Sequence, residues 1–426
     1  MLNNSKTYLV IGYSKPDHVK SVFQQGHRLF LFVSRQQFLK YHPERQDYFS
    51  KIMVFADIYQ WRELKEQLDS LPRIDAVITR YDHFVNVLGV INEYLGLEGL
   101  DYQATKNFSN KFLMKQCFQQ GQVSCADGIC FDKVENSDLF LTNHDFPLII
   151  KTTTGTHSRF VFKAKSIDEL HCRRRQILTE VPDELSSQTV KGFRAGQECQ
   201  VLVEEILTGR EVSVDTFISN GNFIHTPICE YVLADSLNVD DSYLPIRTMP
   251  AQFNTNVQQR VYDIVEQALA SLSANFCVCH TELFVDEEKD KISVVETTPR
   301  GGGNRAEMTQ IVTGFNYNLA VFKAATGQLE TRDLSAAAAA VSVVEYFAPE
   351  DGIIESINLS FLNKNPQVSY VKVRNNSGDK VKQARHGGKS IVSFFVKADS
   401  PQESESLAKT LFKQVQKAVA VIGGSS

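Results

Sequence analysis

The stretch HTELFVDEEKDKISVVETT, residues 280–298, constrains this fold more than any other part of the chain. It reads as two apolar strands around a charged turn, an antiparallel hairpin. With the loop taken as residues 287–291, Asp286 faces Ile292, Phe284 faces Val294 and Glu282 faces Glu296. Side chains alternate along a strand, so the two glutamates fall on one face, directly opposite each other. Like charges in that position are destabilising, and a hard divalent cation with oxygen ligands is the simplest compensation. A slipped register, or one glutamate at an exposed edge, is the plain alternative. Directly after the hairpin come Pro299, Arg300 and then Gly301, Gly302 and Gly303. Three glycines cost backbone entropy, so something must approach the backbone there, unless the run is only a flexible turn.

The rest of the chain must house that hairpin. The first hundred residues alternate short apolar strands (TYLVIGY, RLFLFVS, KIMVFAD, DAVITRY) with helical patterns, such as Ile58, Trp61, Leu64 and Leu68. Strands alternating with helices predict a doubly wound parallel sheet. Gly12 follows the first strand, but GYSKPD lacks the further glycines of a dinucleotide fingerprint, so it reads as a tight turn. Around SNKFLMKQ, Ser109 is positioned to cap a helix over about 110–120 that ends at Gly121. Antiparallel-looking strands follow, with Asn220-Gly221 marking a hairpin. A helix is expected near 255–273, and the tail mixes strands with a helix after Ser400-Pro401. The alanine run 336–340 reads as the entrance to an element. The expected units are an N-terminal α/β unit over 1–108, a small central lid unit over 109–205, and an α+β unit with an antiparallel sheet over 206–426. The last unit carries a tail subdomain from about 335.

Composition excludes several classes. With 45 basic against 50 acidic residues the chain offers no basic field for nucleic acid or an anionic membrane. The eight cysteines show no zinc-type spacing and read as reduced, mostly buried thiols. The N-terminus lacks the pattern of a signal peptide, and no apolar run reaches membrane-spanning length. A cytoplasmic protein is expected, with a homodimer as one expected assembly.

Two further stretches carry chemistry. PLIIKTTTGTHSRFVF delivers Lys151 at a strand end and then a Thr/Gly/Ser loop, which suits a flap over phosphates; an exposed hairpin tip would look similar. VLVEEILTGREVSVD places Glu204 and Glu205 in an apolar strand, where a carboxylate can accept from an adenine amino group, and Glu211 seven residues beyond Glu204 is placed for ribose hydroxyls. Solvated strand charges are the bland reading of each.

In this order the stretches resemble the ATP-grasp superfamily, in particular its carboxylate–amine ligases, and are similar to L-amino acid ligases that form dipeptides. The resemblance covers about residues 1–330. It implies phosphate contacts at Lys111 and Lys151, a lid over residues 152–158 ending at Ser158, and an adenine-contacting strand at Glu204, Glu205, Ile206 and Leu207. It implies a ribose carboxylate at Glu211 and magnesium, or manganese in its place, on Glu282 and Glu296. The family's Glu-x-Asn-Pro-Arg falls on Glu296-Thr297-Thr298-Pro299-Arg300, so Thr298 stands where a metal-ligating asparagine is usual. Arg300 would neutralise an acyl phosphate, and Gly301, Gly302 and Gly303 would let backbone N–H groups reach substrate. Glu230 falls where such ligases meet the substrate's amino group, with Arg247 and His225 as weaker candidates. The loop after Glu230 is acidic (Asp235, Asp240, Asp241), which suits ammonium-bearing substrates. The implied activity is ATP-dependent amide formation between a small carboxylate and an amine, amino acids foremost. A biotin carboxylase-like or purine-pathway enzyme, a peptide-modifying ligase and a non-catalytic nucleotide-binding protein remain open alternatives.

Overall fold

The computed structural model describes residues 5–12, 15–39, 47–132, 138–155, 160–180, 190–193, 200–239, 243–334 and 336–423. Strands Thr7–Ile11, Arg28–Ser34, Lys51–Phe55 and Ala76–Thr79 form a parallel sheet in the order third, second, first, fourth. Helix Trp61–Leu68 buries Leu64 and Leu68, the positions its apolar spacing marked. Gly12 has φ +88°, and the rings of Phe84 and Tyr81 sit where its Cβ would be, so the turn there is tight as read.

A second, four-stranded antiparallel sheet is built from Gly128–Cys130, Val201–Glu204, Leu148–Thr152 and Val161–Ala164, in that spatial order. Helix Ile167–Glu180 packs on it through Leu170 and Ile177, over a core that includes Phe131, Ile150 and Val203. The helix before this sheet runs Lys111–Gln120, and its cap is Asn110, whose Oδ1 accepts from the Phe112 and Leu113 N–H groups. Ser109 was the expected cap, but it closes the preceding helix Tyr102–Ser109 and its hydroxyl donates to the Thr105 carbonyl. Cys130 is disulfide-bonded, which departs from the expectation of reduced thiols throughout.

The third sheet has nine strands, all pairs antiparallel. Its order runs Lys291–Thr298, Cys277–Asp286, Arg210–Ser219, Cys229–Val232, Ile246–Met249, Ala340–Tyr346, Val392–Ala398, Val368–Val373, with Asn222–His225 beside Arg210–Ser219. Both turn residues, Asn220 and Gly221, have positive φ, as a tight hairpin demands. The tail therefore extends this sheet, and a three-stranded sheet of Lys380–Val381, Gly352–Ile357 and Val419–Gly423 lies beyond it. One large apolar cluster joins the parallel sheet to the nine-stranded one, with Leu9 and Phe32 on one side and Val212, Val214, Leu283 and Val294 on the other. Among the described residues no helix is long and apolar enough to cross a membrane.

The hairpin register departs from expectation at its tip. Asp286 pairs with Lys291, Phe284 with Ser293 and Leu283 with Val294, one residue off the expected alignment. A bulge then inserts Val295, and Glu282 again faces Glu296. The extra residue re-aims the end of the strand, a use to which bulges near functional sites are often put.

Candidate functional site

One side of the site is the polar face of the nine-stranded sheet. Along Arg210–Ser219, Val212 and Val214 enter the core, so Glu211, Ser213 and Asp215 point the other way. Ser213 pairs with Glu282, and Glu282 with Glu296, which sets three polar residues in a row. Burial, together with Glu282 and Glu296, pushes the Glu211 carboxyl up to about 8. Glu282 moves the opposite way. Burial alone would raise it, but the His280 hydrogen bond and the charges of Arg300 and Arg305 hold it below the usual carboxylate value.

Behind this row lies a network that sequence reading missed. His280 stands between two carboxylates, with Nδ1 2.6 Å from Asp215 Oδ1 and Nε2 3.4 Å from Glu282 Oε1. The fully buried Asp215 also accepts from the Gly302 N–H at 3.0 Å and from the Tyr317 hydroxyl. Arg305, 1% exposed, donates to Ser213 Oγ and Tyr231 Oη, each at 2.8 Å, and to the Gly303 carbonyl. This corrects the reading of the glycines. A Cβ on Gly301 would lie 2.2 Å from Tyr317 Oη, and one on Gly302 would lie 2.4 Å from His280 Nδ1. Both glycines are needed for this packing, and the Gly302 N–H is already committed to Asp215. Only the surroundings of Gly303 are open.

The other side is cationic. Strand Leu148–Thr152 supplies Lys151, and helix Lys111–Gln120 supplies Lys111 and, one turn on, Lys115. Glu204, 3% exposed at the end of its strand, is paired with both Lys115 (2.5 Å) and Lys151. Burial first, then the charges of Lys115 and Lys111, pull Lys151 down to about 7, against the pull of Glu296 and Glu282. Glu205, Ile206 and Leu207 continue past the strand, half-buried, and Glu205 exchanges backbone and side-chain hydrogen bonds with Asp127. Lys115 carried a sequence signal, its spacing of four from Lys111, that went unused. Ser158, with the loop residues 156–158, lies outside the described residues, as do Asp240 and Asp241.

The two sides meet. Lys111 Nζ is 3.0 Å from Glu296 Oε2 and 3.2 Å from the Gly155 carbonyl. The helix is held there because the Val294 N–H donates to the Ser124 carbonyl and the Thr297 N–H to the Met114 sulfur. The N-terminal sheet contributes as well. Asp82, just past the strand Ala76–Thr79, accepts from Arg300 Nε (2.8 Å) and Nη2 (2.7 Å) and from the Thr298 hydroxyl (2.6 Å). A carboxylate beyond the carboxyl end of a parallel strand sits where such sheets commonly present ligand-binding groups.

Two expected residues are not brought to this face, and a third is engaged elsewhere on it. Glu230 pairs in register with Val212, whose side chain enters the core, so it points away from Glu282; Arg210 holds it through Nε (2.7 Å) and Nη2 (2.5 Å). Its assignment to a substrate amino group is corrected on that geometry. His225 bridges Glu266 and Thr216 and stacks on Tyr262, on the same far side. Arg247 is in register with Tyr231 on the near face, but donates to Glu345 at 2.6 Å.

A family model described as an ATP-grasp domain matches residues 144–308, a span that holds Lys151, Glu204, Glu211, Glu282, Glu296 and Arg300. Among curated proteins, the alanine–anticapsin ligase of Bacillus amyloliquefaciens is 20% identical over 245 residues, 54% of this chain and 49% of that protein. The chain thus spans about half the length of the curated relative it matches. An L-amino acid ligase from Bacillus licheniformis has a TM-score of 0.77 at 17% identity, with 99% of both chains covered. A carboxyaminoimidazole ribonucleotide synthase from Aspergillus clavatus complexed with ATP has 0.72 at 15%, covering 97% of this chain and 99% of that one. A biotin carboxylase from Campylobacter jejuni has 0.67 at 13%, covering 97% and 92%. These structural likenesses show the fold alone. Residues 144–308 thus match an ATP-grasp domain, and the fold of the chain is similar to that of an L-amino acid ligase.

Proposed function

We propose that this protein is an ATP-dependent ligase that joins a carboxylate to an amine through an acyl phosphate, with amino acids as substrates. One observation carries the proposal: three lysines face two opposed glutamates, and a single Lys111–Glu296 pair bridges them. Lys111 and Lys151 would hold phosphates, Glu204 to Leu207 the adenine edge, and Glu211 the ribose. Ser158 would close over the phosphates as part of the lid.

The residues present fit a hard cation. Glu282 and Glu296 offer two carboxylates, and no group of three His, Cys, Asp or Glu side chains able to hold a metal exists among the described residues. Magnesium commonly takes one or two carboxylates and completes its shell with substrate phosphates and water. Glu282 and Glu296 would therefore hold it, or manganese, and Thr298 could add its hydroxyl oxygen. When bound, the ion would neutralise phosphate charge.

Protein chemistry then reduces to positioning and charge. A substrate carboxylate attacks the γ-phosphate and ADP leaves. The amine attacks the acyl carbon, and phosphate leaves with the bonding pair. Lys151 is tied to Glu204 and Arg300 to Asp82. Binding exchanges these partners, and Arg300 turns toward the acyl phosphate. The test is ADP release over a panel of amino acids with hydroxylamine present. A hydroxamate formed without bicarbonate supports the reading. ADP release that needs bicarbonate and gives no hydroxamate moves the protein to carboxylase-type chemistry.

A further inference from the structure

A cavity of about 330 Å³ lies between the parallel sheet and the start of strand Cys277–Asp286, and neither the lysines nor the glutamate pair line it. Its floor is the strand Ala76–Thr79, the edge of the parallel sheet. The Arg28 N–H donates to the Lys6 carbonyl and the Gly12 N–H to the Phe32 carbonyl, so Thr7, Leu9 and Ile11 face the strand Ala76–Thr79. The register, Tyr8 with Ala76 and Val10 with Ile78, turns Ala76 and Ile78 toward them. The N–H and C=O groups of Val77 and Thr79 therefore face outward at the cavity, where the sheet has no further strand. Val77 is 7% exposed and Thr79 4%. Buried backbone groups of this kind need partners.

A second observation points the same way. Asn92 lines the cavity and is 3% exposed, and its Oδ1 has no hydrogen-bond partner among the described residues. Its amide nitrogen is used, donating to the Leu100 carbonyl at 3.0 Å. The rim carries Lys6 and Arg73, whose side-chain charges have no ion-pair partner among the described residues.

We propose that this cavity is a binding site for a short extended peptide of two or three residues, separate from the nucleotide site. Its backbone would pair with the Val77 and Thr79 edge, as peptides add to open sheet edges. Those two residues stand about 6.6 Å apart along the strand, the reach of a dipeptide at ~3.3 Å per residue. A ligand N–H would satisfy Asn92 Oδ1, and Lys6 and Arg73 would take the terminal carboxylate. Pro299 forms part of the lining, one residue from Arg300, so an occupant touches the reactive segment. A peptide is also the product class of the proposed ligase; that its product would occupy this cavity rests on that reading, whereas peptide binding does not.

The test uses the full chain without nucleotide and L-alanyl-L-alanine as the probe, with calorimetry and localised amide hydrogen exchange. The expected result is binding that slows exchange over residues 76–79. Ala325→Leu, which fills the cavity, and Arg73→Glu, which reverses an exposed charge, should each weaken it by roughly tenfold or more. Glu296→Gln should leave it unchanged. Absence of binding at millimolar peptide, binding without protection of 76–79, or binding equally strong in both variants would overturn the proposal, as would its loss in Glu296→Gln. Protection that persists while hydroxamate formation fails keeps this site and removes the ligase reading.

Discussion

The lysine side and the glutamate side of the site hold their charges by different means. On the first, two buried ammonium groups share one carboxylate, Glu204, within a single small sheet and its adjoining helix. That side is short of negative charge and stays so until an anion arrives. On the second, Asp215 and Glu282 are balanced by His280, Arg300 and Arg305, and Glu211 by Arg247, so the groups come from three separate parts of the chain, 211–215, 247 and 280–305. The first side is thus specified locally and poised for phosphate. The second exists only once the whole fold is assembled, and it is poised for a cation.

The largest break in this comparison is on the glutamate side. Glu296→Gln should lower ADP release by roughly a thousandfold, about 4 kcal/mol, because it removes one of two opposed carboxylates and unties Lys111. The melting temperature should change little, since the substitution also relieves carboxylate repulsion. Near wild-type release would remove the metal assignment.

The lysine side should respond in binding. Lys151→Met should weaken nucleotide affinity by roughly tenfold to a hundredfold, the range for a charged hydrogen bond. Lys151 titrates near 7, far below an ordinary lysine, so its charge is present below that pH and lost above it. Nucleotide affinity of the wild type should fall as pH rises through about 7, with proton uptake on binding. Calorimetry in two buffers of different ionisation enthalpy measures that uptake. A pH-independent affinity in the wild type would show that Lys151 does not meet phosphate.

The glycines offer a third comparison, within one run. Gly301→Ala should cost about 1–3 kcal/mol of stability by driving into Tyr317 and loosening its bond to Asp215. Gly303→Ala, with open space at its Cβ, should stay within about 0.5 kcal/mol. Denaturant midpoints of the two variants decide this, and equal costs would refute the packing account of the run.

What the chain reveals in advance follows the same local-versus-distant division. The strand–helix alternation of the N-terminal sheet and the facing of Glu282 and Glu296 were legible, since both depend on spacing within one or two elements. The slip at the hairpin tip was not, because Val294-Val295 reads as an unbroken apolar run and hides the bulge that restores the pair. Asp82 and Asp215 left no signal: their partners Arg300 and Tyr317 lie 218 and 102 residues away. Glu230 was misread for a related reason. Which face it takes depends on its pairing with Val212, and a strand's own residues do not announce their neighbour's register.

The smallest effect is the most specific to how the two sides meet. Glu211 has its carboxyl raised to about 8 by burial and by Glu282 and Glu296. Its folded value thus lies above its unfolded one. A group of that kind contributes stability that is fully present below the unfolded pKa of about 4.3 and is lost as pH rises through the folded value. Gln mimics the protonated carboxyl at every pH. Glu211→Gln should therefore melt with the wild type near pH 5, pull ahead by a few degrees as pH rises, and hold a constant lead above about pH 8. Thermal melts in metal-free buffer across that range test this. Magnesium with nucleotide should shrink the lead, since positive charge beside Glu282 and Glu296 makes it easier for Glu211 to ionise. A lead that is flat from pH 5 to 9, or that ignores magnesium, would place Glu211 electrostatically apart from the glutamate pair and cut the link between the ribose and metal assignments.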